Sequence, residues 1–186
     1  MALDDRHRIF DIFASLARYP GEEIAEAAEQ GMAILEREHP TAAAGLAAFD
    51  AFVRQTPPLR REEIYTAAFD LHPLSPPYVG HQLFGESRER TLFLVRLREI
   101  YREHGHPPGP ELPDHLAEIL DFLARNPGTP EAEVLVADGL LPALEKMIAG
   151  LEGERGHPYL PLFRGMRDYL SAAFPAQRPV RKEATA

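Results

Sequence analysis

An all-α fold is predicted by three features of this chain. Apolar residues recur at helical spacing in segment after segment, and the prolines fall mainly between those segments. No stretch shows the apolar–polar alternation of a half-buried strand, and β-branched residues are few. The expectation is a single-domain bundle of about eight or nine helices.

The first helix carries Ile9, Ile12, Phe13 and Leu16 on one face, and Pro20-Gly21 stops it. Glu22-Glu23 opens a second, where carboxylates complement the positive end of the macrodipole. Its apolar side is Ile24, Ala27, Ala28 and Leu35, and it runs out near His39-Pro40. Thr41 is placed as the N-cap of a third helix bearing Leu46, Phe49 and Val53, which ends before Pro57-Pro58. A fourth, about 60–70, carries Ile64, Tyr65, Ala68 and Phe69. Residues 72–78 read as irregular, because Pro76-Pro77 cannot be helix interior. Ser87 caps a charged helix over about 88–104, with Phe93, Leu97, Ile100 and Tyr101 on one side. His106-Pro107-Pro108-Gly109-Pro110 is the next hard break. Pro113 opens the following helix in this reading, with the stripe Leu116, Ile119, Leu120 and Leu123. Thr129-Pro130-Glu131 starts another that reaches about Gly150, with a kink or break expected at Gly139 and Pro142. Tyr159, Leu162, Phe163, Met166 and Leu170 define a last helix over about 158–174. One domain over 1–174 and a mobile C-terminal tail over 175–186 are expected, since the tail has little apolar content beyond Val180.

Composition excludes several function classes. With no cysteine among 186 residues there is no disulfide, thiolate zinc site, thiolate-held iron–sulfur cluster or cysteine nucleophile. A formal charge of −9 argues against binding nucleic acid, which needs a basic surface. No apolar run approaches the roughly 20 residues of a membrane span. The acidic start Met1-Ala2-Leu3-Asp4-Asp5 is unlike a signal peptide, so a cytoplasmic protein is expected. The 18 prolines are nearly twice the ordinary usage of about 5% and act here as helix stops and starts.

Catalytic signals are weak. Ser15, Ser75, Ser87 and Ser171 lack a nucleophile-elbow context, and no glycine-rich phosphate loop exists. Eight histidines raise a metal reading, with His104, His106, Asp114 and His115 as the core of an all-α metal phosphohydrolase and His72 and His81 as further ligands. No H-E-x-x-H or comparable spacing supports it. Placed in a first helical turn, Asp114 would accept backbone N–H bonds, and His115 would point about 100° away around the helix. Tyr65 and Phe69, four residues apart, lead into Pro77 and Tyr78, a combination that can line an apolar cleft with the tyrosine hydroxyl left wet. A plain helical interaction module is a further reading of the same features.

Several segments then resemble one family. Tyr65-Thr66-Ala67-Ala68-Phe69-Asp70-Leu71 is similar to its Y-x-x-x-F-D-L segment, and Leu83-Phe84-Gly85-Glu86-Ser87-Arg88-Glu89-Arg90 to its G-[DE]-[ST]-R-x-R segment. Glu111-Leu112-Pro113-Asp114-His115-Leu116 matches its E-x-P-D-H-L signature, and Leu16-Ala17-Arg18-Tyr19-Pro20-Gly21 resembles its first helix and turn. The chain thus looks like the NarJ family of nitrate reductase molybdenum cofactor assembly chaperones, within the TorD/DmsD group of redox-enzyme maturation proteins. Pro76-Pro77-Tyr78 is closer to the P-P-Y element of the TorD side.

The resemblance implies an all-helical protein that is not an enzyme and holds no cofactor or metal. It implies a partner, the apo catalytic subunit of a molybdenum oxidoreductase, bound through its N-terminal segment and held for molybdopterin insertion. The client-binding positions carried over are Tyr65, Phe69, Pro77, Tyr78, Glu111, Pro113, Asp114 and His115. A groove lined by Tyr65, Phe69 and Tyr78 is expected, with Asp114 among the acids that attract a basic client terminus. Helix exchange between identical chains is a route to a homodimer.

Overall fold

The structure is a computed structural model and describes residues 3–70 and 73–174. The expected tail over 175–186 lies outside the described residues, as does His72. Ten α-helices follow in order: α1 (Leu3–Ala17), α2 (Ile24–Leu35), α3 (Pro40–Gln55), α4 (Pro58–Phe69), α5 (Val79–Phe84), α6 (Arg88–Glu103), α7 (Leu116–Arg125), α8 (Pro130–Val134), α9 (Leu141–Glu152) and α10 (Tyr159–Ala173). A π-helical segment, Leu135–Leu140, joins α8 to α9 without interruption, which leaves nine helical rods among the described residues. The all-α prediction holds.

Boundaries follow the punctuation with four departures. Pro40 occupies the first turn of α3, so His39, not Thr41, sits at the cap position. Helix α5 was not expected; six residues are too few to show a period. The helix expected from Pro113 begins instead at Leu116, with His115 as its cap. The break expected at Gly139 and Pro142 is a wide turn, because Pro142 brings no N–H to the ladder and a longer-reach turn absorbs the gap.

Helix α7 is buried on nearly every side, from Leu116 to Ala124 with Asp121 only partly covered, and packs along α1. Helix α3 packs on α10 and α2. Aromatic rings fill the space between: Phe10 and Phe13 stand edge-on to Tyr169, and Phe69 stacks on Phe163 with centroids 5.7 Å apart. Fully burying each such side chain contributes about 1.5–3 kcal/mol.

The α3–α10 crossing depends on two glycines. A Cβ on Gly45 would lie 2.5 Å from the carbonyl oxygen of Pro161, and one on Gly165 would lie 2.9 Å from that of Ala42. Both obstacles are backbone, so neither can swing aside. Gly45→Ala should therefore destabilise the protein by about 1–3 kcal/mol in denaturant unfolding, although alanine is the better helix former by about 1 kcal/mol. Gly21→Ala, with no heavy atom within 4 Å of its added Cβ, is the matched control and should be close to neutral.

Candidate functional site

The two proline-rich connections meet. The Val79 N–H donates to the Asp114 carbonyl at 2.7 Å and the Leu116 N–H to the Pro77 carbonyl at 2.8 Å, on either side of an antiparallel Tyr78–His115 bridge. A proline and two helix starts explain why this pairing is so short. Pro77 has no N–H to return the bond it receives from Leu116, and α5 and α7 begin at Val79 and Leu116. The Tyr78 and His115 rings stand edge to face, 5.1 Å apart. Tyr101 reaches in from α6 and donates its hydroxyl to the Pro113 carbonyl at 2.9 Å.

Beneath the bridge lies a buried ion pair. Asp114 has no exposed side-chain surface, and its Oδ2 accepts from Arg90 Nε at 2.9 Å. The Arg90 guanidinium sits over the Tyr78 ring, 5.6 Å from its centroid, and also contacts Glu86. Gly80 makes the room: a Cβ there would lie 2.7 Å from Asp114 Oδ2. His115 caps α7 by accepting the Ala117 N–H on Nδ1 at 3.2 Å, so its proton resides on Nε2. Burial holds its pKa below the ordinary histidine value, against the opposing pull of Glu111.

Above the bridge opens a cleft of about 290 Å³. The end of α1 contributes Arg18 and Tyr19, the end of α4 contributes Tyr65 and Asp70, and Tyr78, Pro110, Glu111 and His115 close it. The Tyr78 hydroxyl donates to Glu111 Oε2 at 3.0 Å. Burial and that carboxylate push the Tyr78 phenol up to about 12. The Tyr65 phenol is pushed up by burial, then by Asp70 and Glu111, and donates to the Ala17 carbonyl at 3.3 Å. Asp70 is itself raised, by burial and then by Glu111. Arg18 is engaged by Glu118 and Asp121. The cleft is therefore aromatic in body and electronegative in field.

Four of the residues singled out from sequence line this cleft together: Tyr65, Tyr78, Glu111 and His115. The other four do not. Phe69 packs in the core against Phe163 and Tyr159, so the groove expected from Tyr65, Phe69 and Tyr78 has Tyr19 where Phe69 was placed. Pro77 supplies a backbone carbonyl to the bridge, and Pro113 holds Tyr101. Asp114 is charge-matched by Arg90 and has no surface through which to attract a basic chain directly. Sequence reasoning missed Arg18, Tyr19, Asp70 and Arg90 as site residues. All four stood inside the quoted segments: Arg18 and Tyr19 in the first helix and turn, Asp70 next to Phe69, and Arg90 ending the S-R-x-R run.

The residues of the hydrolase reading are engaged elsewhere. His104 Nε2 lies 3.5 Å from Glu131, and His106 packs on Tyr101 and Phe122. Among the described residues no group of three or more His, Asp or Glu side chains could hold a metal ion.

Two stability measurements test this geometry. Arg90→Met leaves the Asp114 carboxylate buried without its partner and should cost about 3–5 kcal/mol in unfolding experiments. His115 binds fewer protons folded than unfolded, so its contribution to stability is fully present above about pH 6.5 and is lost as pH falls below that. His115→Asn keeps an acceptor at the cap and should flatten that part of the stability–pH profile measured from pH 7.5 to 5.

Comparison with known proteins places the chain. The family described as nitrate reductase delta subunit matches residues 36–163, a span that includes every cleft residue except Arg18 and Tyr19. The nitrate reductase molybdenum cofactor assembly chaperones NarJ of Escherichia coli K12 and O157:H7 are each 29% identical to it over 126 residues. That alignment takes in 67% of this chain and 52% of theirs, so the chain spans about half the length of the curated relatives it matches. A crystal structure of a redox enzyme maturation protein from Archaeoglobus fulgidus superposes with a TM-score of 0.61 at 22% identity, over 89% of this chain and 93% of that one, and shows the same fold. With well over half of its residues matched, the chain belongs to the nitrate reductase delta subunit family.

Proposed function

We propose that this protein is a cytoplasmic assembly chaperone for a nitrate reductase-like molybdenum enzyme. It binds the apo catalytic subunit through a short segment near that subunit's N-terminus and holds it ready for molybdopterin insertion, without catalysing a reaction itself. The observation that carries this reading is the meeting of two separate motif segments at one electronegative aromatic cleft. The similarity to NarJ chaperones supports the same reading.

The chemistry of the cleft fits a peptide. Tyr19, Tyr65 and Tyr78 offer broad faces with few torsions to freeze, which lowers the ordering cost of binding. Asp70 and Glu111 face a lysine or arginine side chain, and the phenols beside them accept cations on their ring faces. Asp114 acts through shape: with Arg90 it fixes the turn that carries Glu111 and His115. The bridged connections hold the walls in place before the client arrives.

Calorimetry with a synthetic peptide of the first twenty or so residues of the cognate catalytic subunit tests this. Combining Asp70→Asn with Glu111→Gln should weaken binding about tenfold, equivalent to about 1.4 kcal/mol, and should flatten the decline of affinity with added salt. Wild-type affinity in that variant would remove the tyrosine cleft from the client-binding surface.

A further inference from the structure

A second and larger cleft adjoins the first across the 110–113 segment and encloses about 570 Å³. Glu111 lines both. The partition between them includes the Arg18–Glu118 pair at 3.5 Å, with Arg18 lining the tyrosine cleft and Glu118 the other. Tyr101, Leu112 and Pro113 give the second cleft apolar walls, and Leu112 is 43% exposed. Its rim carries Arg98 and Arg102, one helical turn apart on α6 and both exposed. Neither makes an ion pair among the described residues; on the same helix Arg90 and Arg96 are paired and Arg88, outside the cleft lining, is not. What distinguishes Arg98 and Arg102 is their place: two guanidinium groups without an acid partner border one open apolar cleft.

We infer that this cleft is the second half of the client-binding surface and takes an acidic, apolar stretch of the same client segment. The inference rests on the function proposed above. The polarity of the cleft selects the occupant. Its floor holds the buried Glu118 carboxylate, which opposes a compact anion sunk into the cavity, while its cations stand at the rim. A peptide meets both conditions, with apolar side chains below and carboxylates level with Arg98 and Arg102. A segment lying over the 110–113 wall then places its basic residues against Asp70 and Glu111 and its acidic residues against the arginines. Opposite charges at the two ends fix its direction and penalise a reversed or uniformly basic segment.

The test uses the full chain and the same synthetic N-terminal peptide of the cognate catalytic subunit, read by fluorescence anisotropy. Arg98→Glu with Arg102→Glu, both at the surface, should weaken binding at least tenfold. Replacing the peptide's Asp and Glu residues by amides should weaken binding to the wild-type chain but not to the variant with Arg98→Gln and Arg102→Gln. If the arginine substitutions leave affinity unchanged while the Asp70 and Glu111 substitutions lower it, the second cleft is excluded and the proposed function stands. If neither pair changes affinity, both readings fall. If the arginine effect is the same for acidic and amidated peptides, no client carboxylate is recognised and the inference is overturned. It is overturned too if 20 mM inorganic phosphate at constant ionic strength erases the advantage of the acidic peptide, since the arginines then hold a free anion.

Discussion

The pairing of residues 77–79 with 114–116 is the contact on which the site depends. Two backbone hydrogen bonds join connections that are about 35 residues apart in sequence, and Pro77 together with the helices that begin at Val79 and Leu116 keeps the pairing from growing into a sheet. Everything above and below is organised by it. Tyr78 and His115 are set edge to face across the join, while Asp114, directed inward, finds Arg90 in the space left by Gly80. A buried ion pair is poor evidence for net stability, since the desolvation of both charges offsets much of their attraction. Its effect here is one of placement. It fixes which way the turn faces, and so which side chains of the signature reach solvent.

The bundle was legible because its stops and starts are chemical. Pro20-Gly21, Pro57-Pro58 and Thr129-Pro130 each terminate or open a helix for reasons local to those residues. What escaped was set by tertiary contact. Val79–Phe84 is too short to display a period, and it is held partly by Lys146 donating to the Gln82 carbonyl from α9. The start of α7 was misplaced because Pro113 is a good first-turn residue, yet its carbonyl is taken by Tyr101 and the cap passes to His115. Phe69 and Tyr65 share a helix face at four-residue spacing, and only the position of Phe163 decides that Phe69 belongs to the core. The site was therefore legible as two segments. Which of their residues face inward depends on α6 and α10, which no short motif encodes.

Charge is distributed with a purpose that the net value conceals. Many arginines are paired with neighbouring acids, as in Arg54 with Asp50 and Glu29, or Arg167 with Asp168 and Glu145. The tyrosine cleft keeps its carboxylates and lends its one arginine to Glu118 and Asp121 behind it. The next cleft along α6 shows the opposite sign at its rim. Two adjacent surfaces of contrary polarity are thus separated by a single loop.

The wide turn between α8 and α9 has a consequence for how the molecule could change over time. An additional residue in one helical turn rotates all that follows by about 100° around the axis. The rod from Pro130 to Glu152 meets α5 along both the wide turn and α9, and meets α10 along α9. Gly139 stands within the turn with Val79 as its nearest neighbour, one residue from the tyrosine of the bridge. A one-residue deletion there would restore a regular helix and turn Pro130–Val134 by about 100° relative to α9. Length is thus constrained in this stretch more tightly than residue identity, and indels should be rarer here than in the loops on either side.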